Sequence, residues 1–226
     1  MRNRCTMKKY AIMGLLLLTG CRNEYQFEQP FAQSSVMPKP ILALLPVMDH
    51  AKHHLSWDVS KILTLGIHHS LAKEDRLYLI DQERMLKAVK ELPENQNPFG
   101  ENITWIKKKF REEEFVAFVE LAEHLETPLN FQNELPNSEC PAELFMSARI
   151  KVFDLREAAP KIILSETLTH SENIPKQFTQ ANLKEPLLPD QEGFEATPQG
   201  IAHDLFAKKI AARIEDYILL TQKNQD

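Results

Sequence analysis

Apolar residues follow three patterns along the chain, and each pattern predicts a different element. Ile41-Leu42-Ala43-Leu44-Leu45 is a continuous apolar run ended by Pro46, as a strand covered on both faces requires. Val59, Ile62, Leu63, Gly66, Ile67, Ser70 and Leu71 then recur at three- and four-residue steps, which predicts a helix starting at Trp57 with Ser56 as its cap. Leu77 to Ile80 is a second strand. Asp81 is placed to cap a helix carrying Met85, Leu86, Val89 and Leu92 and stopped by Pro93. Asn102 opens a short helix through Phe110, and Phe115 to Leu121 predicts a strand extending towards Leu125.

The third pattern is strict alternation. Between Glu143 and Leu155, Leu144, Met146, Ala148, Ile150 and Val152 fall on one side, with Phe145, Ser147, Arg149, Lys151 and Phe153 on the other. With Lys161 to Thr169 it predicts an antiparallel hairpin with one largely solvated face. The polar stretch Ser171 to Glu195 reads as a surface excursion. Thr197-Pro198 then starts a last helix with Phe206, Ile210, Ile214 and Ile218 inward and Ala202, Leu205 and Tyr217 beside them. The expected fold class is therefore α/β (α+β): a mixed sheet with about three main helices in one domain over 41–221, followed by a frayed tail, 222–226.

Residues 1–20 carry a separate signal. Lys8-Lys9 precede the apolar run Tyr10 to Leu18 and the small residues Thr19-Gly20 before Cys21. That run is about half the ~20 residues a membrane-spanning helix needs, so it reads as an export signal. Met1 and Met7 both stand as starts for it. Arg22 to Pro40, with Gln, Ser and Pro and little periodicity, reads as a tether, so 21–40 is expected to separate an anchor from the folded body.

Leu18-Thr19-Gly20-Cys21 resembles the bacterial lipobox. The resemblance implies cleavage between Gly20 and Cys21, lipidation of Cys21 with diacylglyceryl and palmitate-type chains, and a place in the cell envelope. Arg22, rather than Asp, follows the cysteine, which by the same analogy implies the outer membrane facing the periplasm. The whole chain also looks like lipoproteins of chlamydia-type bacteria that carry no assigned activity. In the body, Ile41 to Pro46 before a helix, Leu77-Tyr78-Leu79-Ile80-Asp81-Gln82-Glu83-Arg84, and Arg149 to Leu155 followed by Ser165-Glu166 resemble the family of the TolB amino-terminal domain, CsgG and LpoB. That resemblance implies an anticodon-binding-domain-like sandwich of two or three layers. Phe115-Val116-Ala117-Phe118-Val119 stands where that family has a Gly-rich strand start.

Charge sharpens the picture. The bases number 27 and the acids 32; removing the signal takes away Arg2, Arg4, Lys8 and Lys9, so 23 bases remain and the net charge moves from −5 to −9. An acidic body gives no footing for nucleic acid, which requires clustered Lys and Arg. Cys5 leaves with the signal and Cys21 is lipidated, so Cys140 is left as a lone thiol in a turn-like setting with no neighbouring base to activate it. Phosphate-binding glycine loops, the G-x-S-x-G elbow, H-E-x-x-H and C-x-x-C are all missing from the sequence.

One cluster remains for chemistry: Asp49-His50-Ala51-Lys52-His53-His54, past the carboxyl end of the first strand. His50, His53 and His54 are candidate metal ligands, although Lys52 among them opposes a cation. Phe145 and Phe153, on the polar side of the hairpin, are the candidate partner surface. The expectation is a lipid-anchored interaction protein with no catalysis and no cofactor, whose partner is an unidentified envelope protein. The alternatives are a metal-binding protein or hydrolase built on the histidines, and a component of a secretion or envelope-assembly complex.

Overall fold

The computed structural model describes residues 38–51, 53, 55, 57–93, 96–129, 141–179 and 193–223. The signal, Gly20, Cys21, the tether up to residue 37, His54, Ser56 and Cys140 lie outside them. In the described part, β1 (Ile41–Leu44), β2 (Met48–Asp49), β3 (Tyr78–Leu79), β4 (Phe115–Pro128), β5 (Ala142–Asp154) and β6 (Lys161–Ile174) form one six-stranded sheet. The order is β3-β1-β4-β5-β6, with β2 beside β4. Four helices accompany it: α1 (Val59–Glu74), α2 (Gln82–Lys90), α3 (Thr104–Lys109) and α4 (Pro198–Lys223). The expected mixed α/β sandwich is what the chain forms.

The helical crossover connections go with the parallel half, β1 with β3 and with β4; β4, β5 and β6 pair antiparallel, β5 and β6 through the short connection 155–160. Pro46 brings no N–H to the ladder, so the first strand breaks there. It resumes as β2, paired in parallel with Glu120 and Leu121. β2 was not anticipated, because two residues carry no periodicity.

Two cores lie on opposite faces of the sheet. On one face Leu42, Leu44, Phe115, Ala117, Ala148, Ile150 and Val152 meet Leu63 and Ile67 of α1 and Phe206, Ile210 and Ile214 of α4. On the other, α2 and α3 bring Met85, Trp105 and Ile106 against Ala43, Val116, Phe118 and Phe153. The structure is thus three layers deep around β1 and the start of β4, and two layers deep where β4, β5 and β6 run on beyond α2 and α3.

Capping follows the sequence closely at some ends and not at others. The Asp81 carboxylate accepts from the Arg84 N–H at 3.1 Å, as expected. Thr197 Oγ1 accepts from the Gly200 N–H at 3.0 Å and so caps α4. The cap of α1 is Asp58, which takes the Lys61 N–H at 2.9 Å. Leu205, expected at the edge of the core, is exposed. Glu112-Glu113-Glu114, which reads as a solvated turn, is instead structural: Glu113 is buried against Arg84 at 2.7 Å, and Glu114 accepts from the Ile41 N–H at 2.9 Å.

β4 contains a bulge. Leu121 pairs with Ala148 and Glu123 with Ser147, which leaves Ala122 as an extra residue. Leu121, His124 and Met146 therefore share the inner face, and Leu125 with Phe145 the outer one. Beyond the bulge the strand reads in reversed phase.

α1 and α4 cross closely at Gly66, where a Cβ would stand 2.8 Å from the Ala207 Cβ. Gly66→Val is therefore expected to cost about 1–3 kcal/mol, as overpacking does in a filled interface. Urea unfolding of the variant checks it, and an unchanged midpoint would count against the close crossing.

Candidate functional site

The end of the sheet where β2 stops and β4 passes its bulge gathers imidazole rings from three parts of the chain. His53 comes from the segment before α1, His124 from β4 and His203 from the second turn of α4. His124 and His203 stack at 5.2 Å between centroids, with their Nε2 atoms 3.0 Å apart. His53 meets His124 edge-on at 5.4 Å. Trp57 closes the cluster, its ring 5.2 Å from His203, 6.4 Å from His124 and 5.7 Å from Phe194.

Hydrogen bonds assign the protons. His203 Nδ1–H donates to the Gln199 carbonyl at 2.6 Å, which leaves its Nε2 as an acceptor. The neutral pair is then satisfied only if His124 Nε2–H donates to it. His53 Nε2–H donates to the Asp49 carboxylate at 2.7 Å, and its buried Nδ1 has no partner. Burial, with the neighbouring His203 and His53 rings, pushes the pKa of His124 down to about 3. Burial likewise lowers His203 to about 4, against the opposing pull of the Gln199 carbonyl. Both rings are neutral at pH 7.

Of the sequence cluster, His50 and His53 turn to different faces of the sheet, and His54 lies outside the described residues. His50 turns to the opposite face and donates from Nδ1 to Glu120 at 2.5 Å, where Arg149 also pairs with the same carboxylate. His53 turns inward to Asp49 and His124. Among the described residues no group of three or more His, Cys, Asp or Glu stands as a metal-binding set. His124 and His203 were missed by sequence reading. The signal for His203 was available, since it falls one position after Ala202 on the buried side of α4.

The candidate partner surface divides. Phe153 is fully buried under α2 and α3, its ring 5.8 Å from Phe118, because at Val116 and Phe118 this face of the sheet is covered. Phe145 lies further along, past the bulge, where no helix among the described residues covers this side of β4-β5-β6. It is half-buried in a row with Leu125, which is 46% exposed, and Ser171. Ser165, Thr167, Thr169, Ser171 and Asn173 all expose their side chains on the same face.

Between α1 and α4 a cavity of about 490 Å³ is lined by Ser70, Lys73, Arg76, Lys208 and Glu215, among others. Glu215 is buried at its wall; Arg76 donates to its Oε2 at 2.6 Å, and its Oε1 has no partner.

Residues 30–222 match the model of a family of unknown function, DUF7499. The chain belongs to that family. No curated protein matches it. Among solved structures it is similar to the hypothetical protein CT253 from Chlamydia trachomatis, at 21% identity and a TM-score of 0.55 over 80% of this chain and 98% of that one. That likeness establishes the shared fold. Lipoprotein GNA1162 from Neisseria meningitidis is similar at 13% identity and a TM-score of 0.40, over 59% of this chain and 83% of that one. The LpoB C-terminal domain from Salmonella enterica stands at 14% and 0.35, over 60% and 85%; likenesses this slight carry no argument. Among the described residues no helix is long and apolar enough to cross a membrane.

Burial raises the pKa of Glu215, outweighing the attraction of Arg76, and Glu74 and Asp216 add to the rise. A carboxyl with a raised folded pKa adds stability below its unfolded pKa, near 4.3, and loses it as pH rises through the folded value. Glu215→Gln keeps the shape without the charge. The variant is expected to melt at least as high as the parent at pH 7 and to lose that advantage at pH 4. Thermal melts at the two pH values decide, and a Tm lowered at pH 7 alone would contradict it.

Proposed function

We propose that this chain is a lipid-anchored accessory protein of the cell envelope, which acts by holding another envelope protein and performs no catalysis itself. The observation that carries the reading is the strand face beyond the bulge. Leu125 and Phe145 sit side by side on it, bordered by Glu123, Thr127, Glu143 and Ser147 and by the exposed Ser and Thr of β6, with no described helix above them. A polar rim around a small apolar centre is the composition of a protein-binding patch.

Two further features agree with it. Leu18-Thr19-Gly20-Cys21 gives an export signal and a lipid anchor at Cys21, with Arg22 favouring the outer membrane, and the tether that follows sets the body off the bilayer. Two polar clusters of the described part serve structure. Glu113 fixes the chain at Arg84, and Glu166 clamps Arg213 of α4 to β6 by two bonds of 2.7 Å.

A photo-crosslinking residue at Phe145 in the native host is expected to give a discrete adduct that the same residue at Lys208, on α4, does not. No adduct at 145, or the same adducts at both positions, overturns the reading. Cys21→Ala is expected to leave the chain uncleaved and without lipid. A variant still processed and membrane-bound, by gel shift and fractionation, would contradict the anchor.

A further inference from the structure

The His124–His203 pair is the one place where two distant parts of the described chain meet through buried, titratable rings with a single hydrogen bond between them. His203 lies in the second turn of α4; His124 is just past the bulge of β4; His53 lies against His124, and Trp57 against both. We propose that this pair is an acid-released latch, which when neutral ties the start of α4 to the end of β4 beside His53 and Trp57, and when doubly protonated lets the start of α4, His53 and Trp57 come away from the sheet.

The proton count limits what the closed pair can hold. Neutral, it has one Nε2–H between two Nε2 atoms 3.0 Å apart. One added proton is tolerated: on His124 Nδ1 it leaves the Nε2–H bond to His203 in place, and on His203 Nε2 it requires His124 to move its own proton to Nδ1 and accept. A second puts two N–H groups face to face, with two charges in a space closed by Trp57 and Phe194.

The surroundings offer little relief: the pull of Asp49 on His124 is outweighed by burial and by the neighbouring rings. Beside His53, the Asp49 carboxylate is taken by His53 Nε2 at 2.7 Å and by the Ala51 N–H at 3.0 Å. On β5 the residue opposite His124 is Met146. On β6, opposite Met146, stands His170, with Glu172 at 3.8 Å; burial lowers His170 as well. On α4 the Gln199 carbonyl is occupied by His203 Nδ1, and Lys209 donates to the Thr169 carbonyl at 2.7 Å. Glu126 lies two residues along β4 on the same face. Within hydrogen-bond reach of the two Nε2 atoms, the described residues supply no carboxylate.

The sign follows from the two depressed values. Free imidazoles titrate near 6.5, so acid between about pH 6.5 and 4 favours whichever state releases the rings to water. Uptake of two protons raises the opening constant by about 100-fold per pH unit below about pH 6.

Hydrogen exchange of the full chain at pH 7.5 and 5, corrected for intrinsic rates, reads this directly. Peptides from 46–58 and 198–204 are expected to lose protection steeply in acid, while those from 115–121 and 144–152 keep it. His124→Gln/His203→Gln, whose amides pair without titrating, is expected to abolish the acid loss. His50→Ala, on the opposite face, is expected to behave as the parent. If the double variant does not fold, His124→Gln alone decides, with a pH slope falling from two protons towards one. Protection independent of pH in the parent, or an unchanged slope in these variants, overturns the latch.

Discussion

The extra residue in β4 determines what each face of the far sheet presents. Side chains alternate along a strand, so Leu121, Glu123 and Leu125 would share a face if the ladder were regular. Ala122 stands out of register, and the phase inverts after it. Leu121 remains buried; the apolar Leu125 is turned outward to 46% exposure, and His124 is turned inward to 3%. One backbone insertion thus creates both the apolar centre of the open face and the buried ring that meets His203.

The uneven layering follows from helix length. α4, with 26 residues, spans the sheet on the inner face and is fastened near its middle by the Arg213–Glu166 pair. α2 and α3, with nine and six residues, cover only the neighbourhood of β1, Val116, Phe118 and Phe153 on the other face. The strands β4, β5 and β6 are 14, 13 and 14 residues long and so outrun that cover. Past the bulge, the described residues of this face are polar except for Leu125 and Phe145, which is how a single-sided antiparallel sheet remains in water while retaining a sticky spot.

Much of this was legible in the amino-acid sequence where periodicity is long. The stripe of α1, the four-residue steps of α4 and the alternation of β5 each span three or more repeats, and all three place their buried residues as expected. Reading failed where a local event broke the period. Ser171, Glu172 and Asn173 look like loop, yet β6 continues to Ile174 because β5 supplies a full ladder opposite. Phe153 looked available on a polar face, but the short helices that cover it come from far away in sequence. The histidine site was half visible. His53 stood in the cluster after the first strand, while His50 left for Glu120 on the opposite face and His124 entered only through the bulge.

The most direct test of the account is therefore the facing of two adjacent residues. In a background without Cys5, Cys21 and Cys140, His124→Cys and Leu125→Cys are each exposed to a hydrophilic thiol reagent at neutral pH. The inverted phase predicts fast labelling at 125 and protection at 124. Equal rates, or faster labelling at 124, would mean that the strand runs without its bulge and would remove the basis of both the open face and the ring pair.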